Sequence, residues 1–382
     1  MEAGRHPQGP SGRTGLDGSG QADAAPPATI RGERNFGAVR KETILVKKRI
    51  RLFFMMLGLV LVATACTSAV APSAGIGQAE RRPENIRVGF STAADMGDIA
   101  SLIALELLAE RGYKVEPVFY SGAELSVAAL AKGDVQFGNG STRTHWTAIA
   151  KSAEIVTIME QAANAWSIVS TPETVACADL QGKRLAITSM GSLNGALLNA
   201  YIRINCPGTA PNIVLIANSE SRAAALMTGA IDAAPLETSD LMRIERLAPG
   251  RFRRLVDFAT SLPRLKTTGI YVNRAFATQH AEVVKEYLEA VLTVHRRIRN
   301  EPALVEAAVV KYLGMEKAEA AELAQFYMDA NIWDANGGID RESIAYSIDF
   351  FTKMDSIPPG LTEANVADLA YLNQVLDKIG RR

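Results

Sequence analysis

The chain has 382 residues, with 41 Lys and Arg against 41 Asp and Glu, four histidines and three cysteines. The even charge balance excludes a broad basic face, and with it nucleic acid as an expected partner. His6, His145, His280 and His295 stand apart and no cysteines cluster, so no metal-ligand spacing is present and no metal or cofactor is expected.

Residues 1–46 are rich in Gly, Pro and Ala and read as a disordered leader or as a start codon placed too early, with initiation expected near Val46. Residues 47–65 carry an export signal. Lys47-Lys48-Arg49-Ile50-Arg51 precedes an apolar run from Leu52 to Ala65, shorter than the roughly 20 residues that a membrane-crossing helix needs. Cys66 follows Ala63-Thr64-Ala65, and the pattern resembles a bacterial lipobox, with Ala63 where that pattern prefers Leu. Cys66 is therefore the expected lipidation site, residues 66–84 a flexible tether, and the rest of the chain extracytoplasmic. A plain cleaved signal is the other reading. Beyond position 65 remain 382 − 65 = 317 residues, enough for two lobes.

Order begins at Ile86. Alternation predicts strands over 86–90, 115–120, 135–138 and 155–160, with helices over 99–111, 123–131 and 143–153 between them. A second set follows Trp166: strands over 185–187, 213–217, 233–236 and 252–256, helices over 193–205, 219–228 and 240–247. A strand over 269–272 and a helical tail from 282, broken at Pro302, Gly314, Gly337-Gly338 and Pro358-Pro359, complete the chain. Repeated strand-helix-strand units predict an α/β fold with two parallel-core sheets flanked by helices. Lobe 1 is expected from 85–165 plus 266–382 and lobe 2 from 170–262, with hinge strands near 165–171 and 262–268 and a cleft between. Cys177 and Cys206 form an even pair outside the cytoplasm and could bridge; two buried thiols is the alternative.

Ligands of open parallel sheets sit beyond the carboxyl ends of the strands, against helix N-termini. That rule nominates Ser91, Thr92, Gly122, Asn139, Ser141 and Thr142 from lobe 1, and Gly191, Ser192 and Glu237 from lobe 2. The same residue types also cap helices with no ligand near. Arg143 stands where a guanidinium could clamp a carboxylate, sulfonate or phosphate, or it is a surface arginine. Trp166 either stacks on a flat ligand or packs the hinge. His145, on the same predicted helix as Arg143, is turned away from the cap. Glu237 could bind an amine or cap the next helix.

Three stretches carry a family resemblance: residues 128–138 (AALAKGDVQFG), 179–187 (DLQGKRLAI) and 224–234 (AALMTGAIDAA), with the tail segment Trp333 to Ile339. They resemble the solute-binding lipoproteins of ABC importers, in the branch associated with nitrate, sulfonates, taurine and thiamine pyrimidine precursors. The resemblance implies a two-lobed periplasmic-binding-protein-like type II fold, a monomer, and delivery of a small organic, anionic solute to a membrane permease. It also leaves two rivals: a receptor serving a TRAP-type transporter or a sensor kinase, and an enzyme making a thiamine pyrimidine precursor. Against the enzyme, no cysteine-rich motif, Ser-His-Asp pattern or nucleophile elbow stands out.

Overall fold

The computed structural model describes residues 85–174 and 176–382. The basic stretch, the apolar run and Cys66 lie outside them. Among the described residues no helix is long and apolar enough to cross a membrane.

The first sheet has the order β2-β1-β3-β10-β4, from β1 (Asn85–Phe90), β2 (Lys114–Phe119), β3 (Phe137–Ser141), β4 (Ile155–Met159) and β10 (Thr268–Asn273). The second repeats that plan as β7-β6-β8-β5-β9, from β5 (Trp166–Ser170), β6 (Arg184–Ile187), β7 (Asn212–Leu215), β8 (Ala233–Glu237) and β9 (Arg253–Asp257). In each sheet four strands point the same way, three of them as adjacent parallel partners. The fourth position is filled by an antiparallel strand: β10 between β3 and β4, and β5 between β8 and β9. The strand that follows each crossing, β5 or β10, enters its sheet from the opposite direction, whereas the strand before it, β4 or β9, keeps the direction of the parallel series. Both sheets are therefore mixed around a parallel core.

Two expectations change with that topology. The predicted strand over 135–138 lies instead at Phe137–Ser141, because Asn139, Gly140 and Ser141 pair with Ile270, Gly269 and Thr268 of β10. Trp166–Ser170, read as part of a crossing, is an internal strand hydrogen-bonded on both sides, and the crossing itself is the segment 160–165.

Helices fill the connections: α1 (Ile99–Glu110), α2 (Ala123–Lys132), α3 (Thr142–Ala150), α4 (Leu193–Asn205), α5 (Ser219–Met227), α6 (Thr238–Leu247), the single turn α7 (Phe258–Ser261) and α8 (Arg274–Gln279). The tail is α9 (Ala281–Ile298), α10 (Pro302–Leu313), α11 (Lys317–Asp329), α12 (Arg341–Lys353), the short α13 (Glu363–Val366) and α14 (Ala370–Ile379). From Ile99 to Leu105 every residue of α1 is buried, as its nearly uninterrupted apolar sequence requires. One side of α1 meets the sheet and the other meets α9, whose Val284, Tyr287, Leu288, Val291, Leu292 and Val294 are fully buried. Gly133 ends α2 in the left-handed conformation, at φ 82°, and the turn at Asp134 leads toward β3. A disulfide joins Cys177 to Cys206, closing the C-terminal end of α4 onto a short 3-10 turn at Cys177–Leu180.

Candidate functional site

Loops from the two sheets face one another. From the first sheet come Ser91 to Asp95 after β1, Gly122 after β2 and the β3–α3 junction at Ser141 to Arg143; from the second come Thr188 to Ser192 after β6 and Glu237 after β8. Arg143 spans the gap: its Nη1 lies 3.0 Å from where a Cβ on Gly191 would stand. Its Nε donates to the carbonyl of Ser356 at 2.8 Å, which fixes the guanidinium from the side of the tail. Gly191 is thus a position where a side chain would displace the arginine. Elsewhere, α6 of the second lobe pairs Arg246 with Glu319 and Glu322 of α11.

The nominated residues divide into three groups. Ser91 and Arg143 are half-buried at the cleft, with Thr92 exposed beside Ser91 and Gly122 at the start of α2. Ser141 and Ser192 cap helices, accepting from the N–H groups of Thr144 at 3.3 Å and Gly195 at 3.1 Å. Asn139 and Thr142 are buried in the first lobe. The Asn139 side chain is fully buried and makes no hydrogen bond, and Thr142 accepts from the Tyr271 hydroxyl at 3.2 Å. His145 is also inside: its Nδ1 sits 2.8 Å from the Ser141 carbonyl oxygen, its ring stacks on Tyr271 at 3.6 Å, and burial pushes its pKa down to about 4.

Ser91 and Gly140 form one close fit. Ser91 Oγ donates to the Asn139 carbonyl at 3.1 Å, and Gly140 has φ 143°, with its Cβ position only 2.0 Å from that hydroxyl. Any side chain at 140 both strains the backbone and strikes Ser91. Gly140→Ala is expected to cost about 1–3 kcal/mol of stability, measured by urea denaturation. Adding Ser91→Gly should return the steric part of that loss; no recovery would place the cost in the backbone alone.

Sequence reasoning missed four residues: Asp95, Arg222, Asp240 and Tyr327. Arg222 looks like a surface residue in Ser-Glu-Ser-Arg, yet it is 1% exposed. Its Nε donates to the Pro235 carbonyl at 3.0 Å, its Nη1 to Thr188 Oγ1 at 2.9 Å and to the Ile216 carbonyl at 3.2 Å, and its guanidinium lies 5.8 Å from the Trp166 ring centroid. Trp166 pairs with Glu237 across β5 and β8, so ring, guanidinium and carboxylate share one end of the second sheet's inner strands. Burial lowers the arginine's pKa to about 10. Glu237 is pushed well above the carboxylate range by burial and by Asp95 and Asp240. Asp95 rises to about 6, chiefly through burial and despite accepting from the N–H groups of Gly97 and Asp98. The only sequence signal for Asp95 was its place in the β1 loop, four residues past Ser91. Arg222, Asp240 and Tyr327 sit on helices whose periodicity carries no mark of the cleft.

Two α/β lobes with matching strand orders, joined by crossing segments and closing on polar loops, define the periplasmic-binding-protein fold. The sequence profile of the family described as NMT1/THI5 like matches residues 104–304, more than half of the chain, and the chain belongs to that family. No curated protein sequence matches it significantly. Solved structures share the fold at low identity. The ligand-binding component of an ABC-type import system from Staphylococcus aureus superposes with a TM-score of 0.63 at 12% identity, covering 77% of this chain and 99% of its own. The periplasmic aliphatic sulphonate binding protein SsuA from Escherichia coli gives 0.56 at 19%, covering 75% and 92%. The desulfurization enzyme DSZB gives 0.56 at 14%, covering 77% and 99%.

Proposed function

We propose that the protein is the extracytoplasmic solute-binding component of an ABC importer, capturing a small organic solute by lobe closure and delivering it to a permease. The observation that carries this reading is Arg143, which belongs to one lobe and reaches Gly191 of the other. A ligand held there contacts both lobes, and only a ligand with different affinities for open and closed forms shifts the balance between them. The import system from Staphylococcus aureus and the sulphonate-binding protein from Escherichia coli share the fold, which supports the reading. Ser91, Thr92, Gly122 and Arg143 line the first lobe's side of this proposed site, with Gly191, Trp166 and Glu237 opposite; Ser141 and Ser192 hold the helix starts that shape it. A lipid at Cys66 would tether the protein, as a monomer, beside its permease.

Thermal unfolding with ethanesulfonate, nitrate, aromatic carboxylates and small amines tests the class. A ligand at about 100 times its Kd stabilises the native state by about 2.7 kcal/mol. Arg143→Ala is expected to weaken a solute carrying an anionic group by about 1.5–3 kcal/mol, read as a change in Kd by calorimetry. An unchanged Kd removes Arg143 from the site. The fold shared with a desulfurization enzyme keeps a second reading, catalysis in the same cleft. Chemical conversion of a bound solute, followed by mass spectrometry, would establish it.

A further inference from the structure

The turn that ends α12 is held from both lobes. Asp355, at its centre, has φ 53°; Ser152 and Asn331 are the other residues besides glycine in the left-handed region among those described. The Asp355 N–H donates to the Thr352 carbonyl at 3.0 Å and the Ser356 N–H to the Phe351 carbonyl at 2.8 Å. Helices α1, α2 and α5 end on the same pair of bonds with glycine in that place, at Gly112, Gly133 and Gly229. Glycine takes this conformation freely, so an aspartate there gives up local stability. What it gains is a partner on the other lobe: a carboxylate oxygen of Asp355 lies 2.7 Å from Nη1 of Arg203 on α4.

The residues on either side of Asp355 are held as well. The Met354 carbonyl accepts from Asn199 Nδ2 at 3.1 Å, and the Ser356 carbonyl accepts from Arg143 Nε at 2.8 Å. Asn199 and Arg203 stand four residues apart on one face of α4. That helix follows β6 of the second sheet and begins just beyond Gly191, the residue that Arg143 Nη1 approaches. Helix α12 packs on the first lobe's side: Phe351 meets Trp146 of α3 edge-on at 6.4 Å, and Ser347 Oγ accepts from the Lys266 N–H at 2.9 Å. The contacts close a ring, from Arg143 through the turn to α4 and back along α4 to Gly191. Both guanidinium groups reach α12 at its C-terminal end, where unpaired carbonyls and the helix dipole favour cations.

Resting on the solute-binding reading above, we propose that Asp355 is a positioning residue of the solute site. Through Arg203, with Asn199 beside it, the turn 354–356 clasps the second lobe to the first and keeps Arg143 aimed at the cleft. Asp355 touches no solute itself. With the clasp made, α4 and the loop before it stay against the guanidinium, and the closed form is favoured. With it broken, rotation at the hinge carries Gly191 away from Arg143, and a solute loses its contact with one lobe.

The test combines small-angle X-ray scattering, urea melts and calorimetry with ethanesulfonate on the purified protein. Asp355→Gly suits the left-handed turn, so its urea midpoint should be no lower than that of the unsubstituted protein. Its radius of gyration should nevertheless be larger, and its Kd for ethanesulfonate raised about threefold, within the range of an exposed ion pair. Arg203→Asp should act in the same direction, and adding Asp355→Arg to it should return both values toward those of the unsubstituted protein. A radius that neither single variant moves overturns the proposal. So does an unchanged Kd, or one that shifts only in step with the urea midpoint, as it would for a merely structural residue. A radius that answers to the variants while ethanesulfonate binds none of the proteins upholds the clasp and counts against an anionic solute.

Discussion

Lys266→Met is expected to destabilise the protein by about 3–5 kcal/mol well above pH 8, where Glu160 is ionised beside the lysine, the cost of leaving one partner of a buried ion pair alone. Lys266 Nζ lies 3.0 and 3.2 Å from the two carboxylate oxygens of Glu160, and both residues are nearly inaccessible. Glu160 follows β4 where the chain leaves the first lobe, and Lys266 precedes β10 where it returns. The pair therefore ties the two crossings to each other. Burial pushes Glu160 up to about 8 even with Lys266 pulling it down, and Asp334 and Asp340 push it further. Without the lysine its folded-state pKa rises again. A carboxyl with a raised folded-state pKa binds a proton on folding, so stability is lost as pH rises from its unfolded value toward its folded one. The unsubstituted protein loses stability in the same way up to about pH 8, so the variant's deficit should stay level from pH 5 to about 8 and widen only above that in urea melts. A deficit that does not widen between pH 7 and pH 9.5 would show that Glu160 is not the group left unpaired. Glu160→Gln combined with Lys266→Met should recover most of the loss, since it removes the stranded charge.

Reducing the disulfide is the second large effect. Cys177 and Cys206 are separated by 29 residues, and closing a loop of that size in the unfolded chain corresponds to about 3–4 kcal/mol by the chain-entropy argument. The urea midpoint of the reduced protein should fall by that free energy, and Cys206→Ala should show the same fall with or without reductant. A midpoint indifferent to reductant in the unsubstituted protein would mean that the bond is not formed. The loop lies wholly within the second lobe, so its loss should first appear as protease sensitivity around the end of α4.

Much of the architecture can be read locally. The alternation of Ile86 to Phe90, the apolar helix that follows, and the glycine-closed turn at Gly133-Asp134 are each decided by neighbours a few residues away. The positions that misled were decided at long range. Asn139 to Ser141 looks like a polar loop until β10, roughly 130 residues later, supplies its partner strand. Asn139 is consequently fully buried instead of lining the cleft. Arg222 presents the same difficulty in reverse: a charged residue on a short helix reads as solvated, and only the carbonyls of Ile216 and Pro235 closing around it make it an inside residue. The Arg143 end of the candidate site was accessible to loop rules, because helix N-termini after strands can be counted from sequence. The acidic end was not, because it depends on which helix starts meet once the lobes come together.

The strand order also sets a sequence in time. Strands β5 to β9 are contiguous in the chain, so the strands of the second sheet can pair as soon as Asp257 has emerged, although α4 waits for Met354 and Asp355 of the tail. The first sheet is different: β3 and β4 have no common neighbour until Thr268 to Asn273 has been made, and its helical cover on α1 waits for α9. A chain delivered from its N-terminus therefore begins the first sheet and completes the second. It returns to close the first only after two-thirds of its length is available. Until that return, the facing edges of β3 and β4 expose unpaired backbone groups, and this interval is when an incomplete chain is most open to aggregation.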